Sequence, residues 1–111
     1  MALQSLGKVT TTAGTPVRLT NNEAVPSARY PAHSFMVEAL SGNTGKVYVG
    51  SSTMNKTTLA GVYAVLPIPT ANVLGSFSAT VTYAPSAFNL AEVWLDVDTT
   101  GEGGLVTAIR A

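Results

Sequence analysis

The 111-residue chain has no cysteine, a single histidine and few charges, and each shortage removes a class of function. Without cysteine there are no disulfide staples, no thiolate metal sites and no thiol nucleophile. His33, the one imidazole, lacks a G-x-S-x-G nucleophile elbow to serve, and a hydrolase triad needs a nucleophile activated by its base. One imidazole without thiolates also falls short of a zinc ligand set. His33 therefore reads as structural, and the chain as non-enzymatic and free of cofactors. Charged residues make up 11% of the chain, against about 25% in an ordinary soluble domain. The six Lys and Arg are scattered singly, whereas phosphate backbones and anionic bilayers recruit clusters of them. No nucleic-acid or membrane partner is expected. No run approaches the roughly 20 apolar residues of a membrane span, and the first residues lack the basic and apolar regions of a secretory signal. These features lead to the expectation of a protein made in the cytoplasm, leaving it only as part of an assembly.

Neutral polar residues fill the gap left by charge. Thr alone outnumbers Lys, Arg, Asp and Glu together, and the six cations balance the six anions. A surface poor in charge and near neutrality tends to associate, although Thr, Ser and Asn can also simply hydrate it. Period-two alternation and β-branched residues indicate strands at 7–12, 17–20, 34–40, 46–50, 62–66, 76–83, 89–98 and 105–110. Along 89–98, Ala91, Val93, Leu95 and Val97 form a wholly apolar face that must look into a core, with Trp94, Asp96 and Asp98 on the other. The S-G-N-T-G at 41–45 predicts a hairpin joining 34–40 to 46–50. Only 54–60 or 86–90 has room for a helical turn. The expected fold is all-β, an antiparallel β-sandwich or jelly-roll-like barrel, as one domain over residues 1–111 with a possibly extended N-terminal segment.

Two stretches invite a sharper reading. Asp96, Asp98, Thr100, Gly101 and Glu102 match the first half of a calcium loop, but Thr107 stands where the closing Glu belongs. The solvated end of a strand running into a Gly-rich hairpin accounts for them better, with calcium kept as the lesser alternative. The Pro-interrupted, apolar segment 66–76 cannot be a central strand. Its Leu66, Pro67, Ile68, Pro69, Val73 and Leu74 are candidates for an intersubunit contact, or for a flap closing one end of the sandwich. Trp94 and Tyr48 are candidate anchors at an interface or rim. Residues 21–32 form a long connection that could act as an arm.

The order T-P-V-R-L-T (15–20), S-G-N-T-G-K-V-Y-V-G (41–50) and V-W-L-D-V-D followed by G-E-G-G (93–104) resembles small accessory virion proteins of tailed phages. Residues 61–84 fall outside the likeness. The resemblance implies capsid decoration, or cement: β-sandwich or jelly-roll subunits, often homotrimers, that clamp neighbouring copies of the major capsid protein in the virion. A tail, neck or fibre component is the nearest alternative. A carbohydrate-binding module, using Trp94, Tyr48 and the acidic strand end, is another.

Overall fold

The computed structural model describes residues 2–70, 73–80 and 87–111. Nine strands follow in order: β1 (Ala2–Thr10), β2 (Val17–Arg18), β3 (Pro31–Ala39), β4 (Val47–Gly50), β5 (Val62–Leu66), β6 (Ser76–Thr80), β7 (Phe88–Asn89), β8 (Trp94–Val97) and β9 (Gly103–Arg110). They form two antiparallel sheets, β1-β9-β3-β6 with β7 beside β3, and β2-β8-β4-β5. The protein is an all-β sandwich. Leaving the two-residue β7 aside, the strands pair from the chain ends inward: β1 with β9, β2 with β8, β3 with β6, β4 with β5. Two further pairings, β9 with β3 and β8 with β4, roll this long ribbon into the two layers.

Alternation decides which side chains meet between the layers. Leu6, Val9, Phe35, Val37, Ala39, Val106 and Ala108 come from the first sheet, and Val47, Val49, Leu66, Leu95 and Val97 from the second; all are buried. Phe35 makes edge-to-face contacts with Phe77 (5.9 Å) and Phe88 (5.6 Å), a geometry that adds about 1 kcal/mol per pair beyond burial. Two glycines of β9 allow its close approach to β1 and β3. A Cβ on Gly103 would lie 1.8 Å from the Val9 carbonyl oxygen, and one on Gly104 would lie 2.7 Å from Val37 Cγ1. The outer edge of β1 is partly closed by Asn22, whose amide donates to the Leu6 and Lys8 carbonyls at 2.7 and 2.8 Å.

Several expectations need correction. The run 34–40 and the run 46–50 do not make a hairpin, because β3 and β4 lie in different sheets. The 41–45 loop is instead tied to the turn before β9. Buried Asn43 donates to the Gly103 carbonyl (2.8 Å), and the Glu102 carboxylate accepts from Thr44 N, Gly45 N and the Thr44 hydroxyl. The strand 89–98 is interrupted by a 3-10 turn at Leu90–Glu92, since Asn89 Oδ1 accepts from both Ala91 N and Tyr30 N. Val93, Leu95 and Val97 join the core as expected, but the turn changes the faces before them: Leu90, expected on the opposite face, is in the core, and Ala91 is buried outside it. The first strand, expected at 7–12, begins earlier: β1 runs over nine residues from Ala2 to Thr10, with a bulge at Gly7. Residues 21–32 are not an arm: Tyr30 is buried with the Arg110 guanidinium over its ring, and the Thr20 hydroxyl donates to the Pro26 carbonyl. Of the predicted strand 76–83, residues 81–83 lie outside the described residues.

Candidate functional site

The outer face of the second sheet gathers the residues that sequence singled out for chemistry. Tyr48 on β4 stands opposite Asp96 on β8, and Trp94, two residues earlier, stands opposite Gly50. Tyr48 and Trp94 are thus diagonal neighbours on one face. Gly50 has no room for a side chain, because a Cβ there would lie 2.2 Å from the Gly61 carbonyl oxygen. That close crossing belongs to the 51–61 connection, which carries Lys56 back over the sheet. Asn55 builds its tight turn by accepting from Thr57 N and Thr58 N.

The Lys56 ammonium sits 3.8 Å from Asp96 Oδ2 and 3.8 Å from Asp98 Oδ1, and donates to the Val97 carbonyl at 2.7 Å. It occupies the place between the two carboxylates that a calcium ion would require. Asp96, expected on a solvated face, is only 3% exposed. Its other oxygen accepts from Gly14 N (3.0 Å) and Val97 N (2.7 Å). The Tyr48 hydroxyl donates to Asp98 Oδ2 (3.1 Å), and burial with this bond to an anion holds the phenol above its ordinary pKa of 10.0. Glu102, the third acid of the calcium pattern, is turned away to the 43–45 loop. Its burial pushes its pKa up, but the Thr44 and Gly45 donors outweigh that and hold it below 4.5. Among the described residues no three His, Asp or Glu side chains converge as a metal set, and no buried side-chain polar atom lacks a partner.

The aromatic candidates are partly closed off. Tyr48 is 7% exposed, with the Lys56 ammonium 5.8 Å from its ring centre. Arg18 lies 4.4 Å over the half-buried Trp94 ring and donates to the Ala91 carbonyl. Neither ring offers the bare, projecting plate on which a sugar stacks. His33 is half-buried at a register shift in β3, between Ala32 and Ser34.

The segment from β5 to β6 crosses from one sheet to the other. Leu66 belongs to the core at 2% exposure, which corrects its place among the contact candidates. Pro67 is exposed, Pro69 half-buried, and Ile68, Val73 and Leu74 stand out at 49, 58 and 41%. Thr70 and Val73 exchange backbone hydrogen bonds at the tip, and residues 71 and 72 lie outside the described residues.

A larger surface escaped the sequence reading. The outer face of the first sheet carries Leu3, Ser5 and Lys8 from β1, Leu105, Thr107 and Ile109 from β9, Ser34, Met36 and Glu38 from β3, and Ser76, Ser78 and Thr80 from β6. Leu3 is 74% exposed, and Met36 and Leu105 39% each. A shallow groove of about 230 Å³ runs along it, smaller than the usual small-molecule pocket of roughly 300–1,000 Å³. Among the described residues, Lys8 and Glu38 are its only charges. The alternation of each strand is legible one strand at a time, but the face emerges only once β1, β9 and β3 are known to be neighbours.

The chain matches no protein-family model, no curated protein and no solved structure.

Proposed function

We propose that this protein is a non-enzymatic structural component of a phage particle, acting as a decoration or cement protein on the capsid. The observation that carries the reading is the nearly charge-free outer face of the first sheet, with Leu3, Met36 and Leu105 exposed on it. Apolar side chains grouped on a face nearly free of charge favour association with other protein. The polar clusters support the same reading from the opposite side. The Lys56–Asp96–Asp98 and Asn43–Glu102 groups spend their hydrogen bonds inside the molecule, so they act as struts rather than as an open active site.

The end-inward pairing of the strands is the pairing of a jelly roll, two interlocked Greek keys, and we read the sandwich as one. Capsid proteins and lectins both use that architecture, so architecture alone assigns neither role. Arg18 and Lys56 against Trp94 and Tyr48 favour packing over sugar binding. In the proposed role, subunits laid over capsomer joints add buried area where the shell would otherwise open. Each contact is modest after association costs, and many attachments per particle make the effect large.

The test is reconstitution on phage shells lacking the protein. The expected outcome is saturable binding and a shell that withstands higher temperature. Shells that neither bind the protein nor change in heat resistance would remove the cement role.

A further inference from the structure

We infer that the outer face of the first sheet is a self-complementary interface, closed by a second copy of the chain about a twofold axis running along β9. Among the described residues this face carries two charges, Lys8 and Glu38, and their placement selects the axis. The ladder register places Lys8 of β1, Leu105 of β9 and Glu38 of β3 in one row across the sheet. Lys8 and Glu38 flank β9 symmetrically, about 10 Å apart at strand spacing. Among the described residues neither forms an ion pair, both ion pairs belonging to Lys56.

A twofold axis in the plane of the interface can lie in few ways. Placed along β9, it sets Lys8 opposite Glu38 of the second copy and Glu38 opposite its Lys8. Leu105, Thr107 and Ile109 then face themselves, as residues on the axis of an isologous contact must. Ser5 meets Met36, and Leu3 meets Ser34, so large side chains face small ones. Placed between β9 and β3, the same axis would put Glu38 against Leu105 and Lys8 against Ser76. Placed across the strands, it would lay the Lys8 row on the Leu3 row. Both alternatives lay the charges against uncharged side chains, and covering an ion without a partner opposes association. Only the β9 axis neutralises both charges. Stacked sheets cross at about 30°, an offset that long Lys and Glu side chains can span.

The face sets the strength of the contact. Three overlapping strands of about eight residues remove roughly 1,000 Å² in total, at the low edge of specific interfaces. A contact this small is expected to be weak, formed more readily where subunits are concentrated on a particle. The inference names the partner of the face on which the proposed function rests, and it replaces the threefold association implied by the resemblance. Its test needs no shell, so failure to dimerise and failure to bind shells are read in separate experiments; a face closed by a second copy leaves shell contact to the rest of the surface.

The experiment is light scattering and sedimentation over about 1 to 500 μM, with wild type, K8E and E38K. Wild-type mass should rise from the 11.4 kDa of one chain towards twice that value. Each single variant makes both symmetric pairs like-charged and should raise the midpoint at least tenfold. Mixing K8E with E38K should restore dimers, because every cross-pair is then again opposite in sign. The K8E/E38K double variant should also dimerise. A monomer at every concentration, a trimer, or a K8E and E38K mixture that stays monomeric would overturn the proposal.

Discussion

Gly103 shows how tightly two strands can be held by what a residue does not have. Any side chain there meets the Val9 carbonyl oxygen, so β1 and β9 must part to admit it. Gly103→Ala should lower stability by about 2–3 kcal/mol, read as a shift in the urea midpoint. Glu102 acts through charge instead. Its carboxylate pKa lies below its unfolded value, so its stabilisation is complete above about pH 4.5 and fades as pH falls through the depressed folded value. Glu102→Gln should be less stable than wild type at pH 7, and the two urea midpoints should draw together as the pH falls through the depressed pKa of Glu102. Neither effect can be read from the local pattern. G-E-G-G looks like ordinary turn chemistry, and the partners of Glu102 lie 57 and 58 residues away. The same distance explains the mistaken hairpin: S-G-N-T-G has hairpin residues, but Asn43 is drawn to Gly103.

At the scale of elements, the period-two signal found most strands, and the inward faces of 34–40 and 93–97, because burial dictates them. It missed residues 2–6 of β1, and it put Leu90 on the wrong face because a 3-10 turn breaks the alternation there. It misplaced Asp96, since the groups that make its burial tolerable, Lys56 and Gly14, come from connections far away in sequence. The 51–61 connection is held to the sheet largely by that one lysine. Lys56→Met removes the cation facing a nearly buried carboxylate and should cost about 1–3 kcal/mol, less than a fully buried pair because the ammonium keeps contact with water. Amide exchange should quicken at Leu59 and Val62, whose N–H groups close that turn, and much less along β3.

For the whole molecule, the pairing of chain ends governs cooperativity. β1 joins β9 along nearly its full length and supplies Leu6 and Val9 to the core. Deleting residues 2–10 removes two buried side chains worth about 1.5–3 kcal/mol each, and an entire ladder, from a total stability of about 5–15 kcal/mol. The truncated chain should show no cooperative thermal transition by circular dichroism. Strand order was beyond the sequence, because alternation assigns a side chain to a face but never names the neighbouring strand. The outer face of the first sheet therefore stayed hidden, while the exposed Ile68, Val73 and Leu74 could be suspected from their Pro-rich setting.

The register also fixes a direction. Ala2 pairs with Arg110, so the start of β1 and the end of β9 lie side by side, about 5 Å apart. The apolar corner reaches the first sheet at the other end of its strands, where Gly75 accepts from Ala39. A peptide grafted to either terminus would leave from the pole opposite Ile68, Val73 and Leu74. Seated by that corner, the molecule would hold two different cargoes next to each other, both pointing outward.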